Sequence, residues 1–199
     1  MNIGVLASHE GTTLQAVLDA CLEKRLHARV AVVISNNSDS GALRRARGAG
    51  VPALHLSSKT HPSEDELDRA ICEGLSGNDV HVVLLAGYMK KLGPRTRERY
   101  SGRVINTHPA LLPKFGGHGM YGERVHRAVL EAGEAVTGVS VHLVDQDYDT
   151  GAVLAQTEVA VEPGDTLETL ATRVQARERA FLIEVLAEIA AGRLRLRSP

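Results

Sequence analysis

The chain has 199 residues, with 23 Lys and Arg against 24 Asp and Glu, and a formal net charge of −1. That length is enough to bury a core without disulfide or metal staples, and the balanced charge lacks the clustered positive field of a nonspecific nucleic-acid binder or a polybasic membrane anchor. Aromatic residues make up 3% of the chain and Trp is absent, so no platform exists on which bases could stack. No apolar run approaches the roughly 18 residues of a membrane span, and Met1 to Ser8 has neither the basic flank nor the apolar length of a signal peptide. Cys21 and Cys72, both at apolar positions of helix-like segments, make no disulfide framework. These features predict a reduced, cytoplasmic protein that engages neither membrane nor nucleic acid.

In chain order, Asn2 to Ala7 reads as a short apolar strand, followed by the polar segment Ser8-His9-Glu10-Gly11-Thr12. Leu14, Val17, Leu18, Cys21 and Leu22 then fall at helical spacing. The β-branched run Val30 to Ile34 predicts a second strand, and Ala42 to Ala49 a short helix ended by Gly50. Val51 to Leu56 reads as a third strand, and Ser63 to Leu75 as a helix whose Ser63 and Glu66 form a capping box. Val80 to Leu85 is apolar enough to be a strand buried on both faces. The alternation continues into a strand at Arg103 to Asn106. A glycine-rich loop, Lys114 to Gly122, precedes a helix over Glu123 to Ala132, two β-rich runs over Gly138 to Val144 and Ala152 to Val161, and a long helix from Thr166 to about Ala191.

Strand–helix repetition with apolar strands predicts an α/β fold: an open, mostly parallel twisted sheet with helices on both faces, Rossmann-like in outline. A single domain over 1–199 is expected, with phosphate-binding units in 1–100 and a catalytic half in 101–199. Ligands of such sheets sit beyond the carboxyl ends of strands, so candidate residues are sought there.

Three places qualify. Gly11, Thr12 and Thr13 open the first helix, where backbone N–H groups either bind an anion or are simply capped by a Thr hydroxyl. Asn106 and His108 lie two apart at a strand end, so they point the same way; Pro109 keeps His108 extended. An amide beside an imidazole suits a carbonyl oxygen that turns into an oxyanion, although the same pair could serve packing. Ser140 and His142 share one strand face ahead of a turn carrying Asp145, Asp147 and Asp149, of which Asp149 is best placed to act on an imidazole. The acidic turn could equally be a solvated surface. No Gly-x-Ser-x-Gly elbow is present, and nine scattered histidines form no zinc pattern, so no metal is expected; His118 and His126 are the only pair near one loop.

Met1 to Gln15, Leu85-Ala86-Gly87-Tyr88-Met89, Ile105 to Lys114, Gly138-Val139-Ser140-Val141-His142 and Asp149-Thr150-Gly151 together resemble the folate-dependent glycinamide ribonucleotide formyltransferases. The resemblance covers essentially the whole chain in order, and the Asn-x-His-Pro stretch followed by Ser-Val-His and Asp is specific to the formyltransferase superfamily. It implies formyl transfer from 10-formyltetrahydrofolate to the amine of glycinamide ribonucleotide. Asn106, His108 and Asp149 would be the catalytic set, with a protonated His108 kept charged by Asp149 and with Ser140 and His142 in support. Gly11, Thr12 and Thr13 would hold the substrate phosphate and Glu178 the ribose. Met89, Lys90, Leu92, Asn106, Val144, Asp145 and Asp149 would line the folate site.

The sequence also departs from that family's pattern. His9-Glu10 stands where small residues are usual, Thr13 where Asn is common, Glu64 and Lys90 where Arg is usual, and the loop from Phe115 to Gly122 is longer, reading either as a lid or as plain flexible filler. Glu10 is expected to point to solvent. A monomer or weak homodimer is expected. The competing readings are a formyltetrahydrofolate deformylase using the same site, a folate- or nucleotide-binding module without chemistry, and a dinucleotide oxidoreductase, which lacks its glycine fingerprint. The catalytic assignment requires Asn106, His108 and Asp149 to meet within about one water of each other.

Overall fold

The computed structural model describes residues 1–196. Its elements alternate through the first hundred residues: β1 (Asn2–Leu6), α1 (Thr12–Leu22), β2 (Arg29–Ser35), α2 (Gly41–Gly48), β3 (Ala53–His55), α3 (Glu64–Ser76), β4 (Val82–Leu85) and α4 (Pro94–Arg99). Then follow β5 (Val104–His108), α5 (Glu123–Glu131), β6 (Val136–Leu143), β7 (Val153–Ala160) and α6 (Leu167–Ala190). The strands form one sheet in the order β3-β2-β1-β4-β5-β6-β7. This is the open, mixed α/β sheet that the alternation predicts. No helix among the described residues is long and apolar enough to cross a membrane.

The chain divides into two compact units, Met1–Ile105 with the chain from Leu186, and Asn106–Val185. In the first, β1 pairs in parallel with both β2 and β4, and β2 with β3. Consecutive strand residues Val32, Val33 and Ile34, and Val83 and Leu84, are all fully buried, which requires cover on both faces of this sheet. Strand order reverses at β1, and the loops leaving β1 and β4 are tied together there. Ser8 N–H donates to the Gly87 carbonyl at 3.1 Å, and the Ser8 hydroxyl accepts from Met89 N–H at 2.9 Å while donating to Asn36 Oδ1 at 2.6 Å. The expected capping box is present at the amine end: Ser63 Oγ accepts from Glu66 N–H at 3.1 Å. The third strand is shorter than the apolar run because Pro52 has no N–H to give, and only its carbonyl bonds, to Val33 N–H.

In the second unit β6 and β7 form an antiparallel ribbon. Gly151, where β7 begins its return, has no room for a side chain: a Cβ there would lie 1.8 Å from the Leu143 carbonyl oxygen.

One polar lock stands out in the first unit. Asp68 on α3 is 4% exposed and accepts from Arg95 N–H at 2.7 Å, Thr96 N–H at 3.1 Å and Thr96 Oγ1 at 2.5 Å, satisfying the opening donors of α4. Two backbone donors lose their acceptor in Asp68→Ala, while Thr96 Oγ1 keeps the Asp68 carbonyl at 3.2 Å, so urea unfolding should show a loss of about 2–4 kcal/mol. A change under 0.5 kcal/mol, the size of an ordinary surface substitution, would show that α4 is held by packing alone.

Candidate active site

The second unit holds the densest polar cluster. Side chains alternate along β5, so Asn106 and His108 share one side while Thr107 faces the other and gives its hydroxyl to the Glu178 carboxylate on α6. His108 is 2% exposed; its Nε2 donates to the Phe115 carbonyl at 2.7 Å and its Nδ1 lies 3.4 Å from Asp149 Oδ2. The other carboxylate oxygen of Asp149 is 3.5 Å from His142 Nε2. Asn106 Nδ2 in turn reaches His142 Nε2 at 3.3 Å. A carbonyl can only accept, so the contact of His142 Nδ1 with the Leu143 carbonyl at 2.9 Å places the hydrogen on Nδ1 and leaves Nε2 as acceptor for the Asn106 amide. That fixes which end of Asn106 donates. One of its two N–H groups is used in that contact.

Asp149 holds its position against a backbone preference. Its φ is 59°, the left-handed region that few non-glycine residues adopt, and Gly117 N–H donates to its Oδ2 at 3.0 Å. Thus the glycine-rich loop reaches both members of the pair, Phe115 through its carbonyl and Gly117 through its N–H. The same loop meets the 145–149 turn again where His118 packs edge-on against Tyr148 at 5.4 Å.

Ser140 is fully buried and acts beneath the cluster. Its hydroxyl donates to the Ala110 carbonyl at 2.7 Å and accepts from Leu112 N–H and from Gln156 Nε2, so it fastens the segment that follows His108. Gln156 also donates to the Leu112 carbonyl at 2.9 Å, a role that sequence reading missed because β7 looks like an ordinary edge strand. Val144 is half-buried and Asp145 exposed; Asp145 closes its own turn by accepting from Thr150 Oγ1 and Asp147 N–H. His126 and His118 do not pair: His126 is 1% exposed on α5 with its Nδ1 unpartnered. Among the described residues no group of three His, Cys, Asp or Glu is placed to hold a metal ion.

In the first unit Gly11 is the N-cap of α1, at φ 70°, and no side chain caps that helix. Neither threonine hydroxyl takes the role the simpler reading gave it, and the first helical bond is from Gln15 N–H to the Gly11 carbonyl. The opening N–H groups therefore point at an uncapped end, the arrangement an anion requires. Met89 and Lys90 are exposed, whereas Leu92 is 5% exposed and belongs to the core. Glu10 is exposed as expected, and it is also paired, 3.4 Å from Arg44. A cavity of about 670 Å³ in this unit, lined in part by Cys72, Arg95, Arg99 and Arg103, contains none of these candidate residues. Arg95 is engaged there by Asp65, and Arg103 by two carbonyls.

An amide donor, two imidazoles and a carboxylate in one cluster of an open α/β sheet can stabilise an oxyanion and move a proton, chemistry suited to an enzyme of group transfer at a carbonyl carbon. The formyl transferase family matches residues 1–186. Phosphoribosylglycinamide formyltransferase of Escherichia coli is 38% identical over 196 residues, spanning 98% of this chain and 90% of that protein. The Haemophilus influenzae protein of the same name is 37% identical over 195 residues, 98% of this chain and 90% of its own length. The crystal structure of glycinamide ribonucleotide transformylase 1 from Symbiobacterium toebii superposes with a TM-score of 0.90 at 42% identity, covering 100% of this chain and 91% of that one. This chain belongs to the formyl transferase family.

Burial pushes the His108 imidazole below its ordinary value, and the Asp149 carboxylate and Phe115 carbonyl pull it back only in part. The direction runs opposite to the standing charge expected on His108, which the two acceptors at its ring nitrogens favour. An NMR titration should give His108 a midpoint below 6.5, and Asp149→Asn should lower it further by removing the upward pull; a wild-type midpoint above 6.5 contradicts this balance.

Glu178 shows the opposite sign. Burial pushes its carboxyl up, against the Thr107 hydroxyl and Arg179. A folded value above the unfolded one means the folded state keeps its proton longer, so stability falls as pH climbs from the ordinary 4.5 through the raised value. Glu178→Gln keeps an acceptor for Thr107 and removes the charge. Its melting temperature should exceed that of the wild type at pH 8 and match it at pH 4; an equal difference at both pH values would show that the carboxylate is not the cause.

Proposed function

We propose that this chain transfers the formyl group of 10-formyltetrahydrofolate to the amine of glycinamide ribonucleotide. The observation that carries the reading is the cluster in which Asp149 lies between His108 and His142 while the Asn106 amide reaches His142. The names of its relatives support the same reaction.

The neutral amine attacks the formyl carbon, and the carbonyl oxygen becomes an oxyanion beside the Asn106 amide. Burial weakens the hold of His108 on a proton, while the acceptors at its two ring nitrogens, the Phe115 carbonyl and the Asp149 carboxylate, suit an imidazolium once a proton arrives. The proton shed by the attacking nitrogen passes, through a water, to the Asp149–His108 pair, and an imidazolium forms beside the oxyanion as its charge peaks. The tetrahedral adduct then collapses with cleavage of the bond to the folate nitrogen, which takes that proton. No covalent enzyme intermediate is needed, and no metal.

Substrate positions follow the same proposal. The phosphate is assigned to the N–H groups at Gly11, Thr12 and Thr13, and the ribose to Glu178. Met89, Lys90 and the 144–149 turn are assigned to the folate, with Leu92 contributing from the core rather than by its surface. The chain as a whole is assigned as one formyltransferase domain.

The test is release of tetrahydrofolate followed by absorbance, with and without glycinamide ribonucleotide. Turnover is expected only when the ribonucleotide is present. Asn106→Ala and His108→Ala should each lower kcat about 100-fold or more, the usual effect of losing an oxyanion donor. Equal turnover without ribonucleotide would make the protein a deformylase, and no turnover in either case a binding module.

A further inference from the structure

The first unit carries a feature that the proposed function leaves unexplained: a carboxylate, Glu10, next to a loop assigned to a phosphate. Two arginines on α2 surround it. Arg45 Nε donates to the Glu10 carbonyl at 2.8 Å and its NH1 to Gln15 Oε1 at 2.9 Å, bridging the two ends of the turn that opens α1. Arg44 reaches the Glu10 carboxylate at 3.4 Å and the Asp39 carbonyl at 2.6 Å. The backbone of α2 lies against the turn as well: Ala42 N–H donates to the His9 carbonyl at 3.1 Å, and a Cβ on Gly11 would fall 2.8 Å from Ala42 Cα. The Glu10 carboxylate itself rests on Gly41, the first residue of α2, where a helix end favours negative charge.

We infer that Arg45 is a positioning residue for the substrate phosphate, holding the 10–15 turn in the shape that aims the Thr12 and Thr13 N–H groups at one dianion, while Arg44 cancels the Glu10 charge beside it. The physical argument has two parts. Gly11 is left-handed and its turn has no side-chain cap, so the exact aim of the opening N–H groups depends on the clamp from α2, through its backbone at His9 and through a side chain at Glu10 and Gln15. A planar guanidinium with donors on two edges supplies that clamp, and an ammonium cannot reach both acceptors at once. An uncompensated carboxylate near the site would repel a dianion, and the Arg44 contact with the α2 end neutralises it.

The inference rests on the phosphate assignment above, and the experiment separates the two. Steady-state kinetics are run with ribonucleotide varied, together with inhibition by inorganic phosphate, for wild type, Arg45→Met, Arg45→Lys, Gln15→Ala, Arg44→Gln, Glu10→Gln and the Arg44→Gln/Glu10→Gln double variant. Wild-type turnover that phosphate does not inhibit competitively against the ribonucleotide sinks the phosphate assignment before any variant is made.

Given competitive inhibition, Arg45→Met should raise KM for the ribonucleotide and Ki for phosphate about tenfold, the loss of charge-assisted bonds to two acceptors, with kcat within about twofold and KM for the folate unchanged. Arg45→Lys and Gln15→Ala should fall between, and they carry the test if Arg45→Met does not fold. Arg44→Gln should raise KM when Glu10 is present and have no effect when Glu10 is Gln. An unchanged KM in the Arg45 variants, or equal loss for both substrates, overturns the role of Arg45. An Arg44 effect that persists without Glu10 overturns the cancellation and makes Arg44 a direct phosphate contact.

Discussion

The cluster depends on how His108 is held. An imidazole buried to 2% has no solvent for its ring nitrogens, and here both face acceptors, a backbone carbonyl at one and a carboxylate at the other, so the neutral ring can donate to only one of them. Neither partner is near in sequence: Phe115 lies seven residues on, and Asp149 beyond α5 and β6. The β5 end, the glycine-rich loop and the turn after β6 must therefore all be in place before the imidazole has its two partners. Ser140 and Gln156, fastening the 110–112 segment from below, belong to the same requirement. Low exposure at this point also weakens the ring's hold on a proton and makes each remaining dipole count for more than it would in water.

Much of the fold was legible because it rests on local periodicity. The β-branched runs, the Ser63–Glu66 box and the alternation of Asn106 and His108 are all relations between near neighbours, and such relations survive in a linear chain. The order of strands was legible only as a class, since pairing is decided by contacts far apart in sequence.

What sequence reading lost has a common physical cause. The Phe115 carbonyl and the Gly117 N–H are main-chain groups, which every residue carries and no residue type announces. Asp68 looks like one more charge on the solvated face of α3, and only the distant start of α4 turns it into a buried acceptor. Glu10 looked misplaced because its partner, Arg44, stands thirty-four residues away. Leu92, expected in the folate site from resemblance, has its side chain buried, which the sequence around it does not announce. The desolvation that pushes His108 down is likewise invisible in the sequence, whereas the carboxylate that pulls it up is not.

The left-handed backbone at Asp149 has a further consequence for how this family member can drift. Glycine, asparagine and aspartate are the residues that accept that conformation readily, and only aspartate among them is an acid. A glutamate, the obvious chemical replacement, would cost about 1–2 kcal/mol in that conformation, as Lys24 and Phe115 bear elsewhere in the chain, and its extra methylene would shift the carboxylate relative to both imidazoles. Backbone shape and acid identity at position 149 are thus tied together, so a reshaped turn would also change which acid fits there.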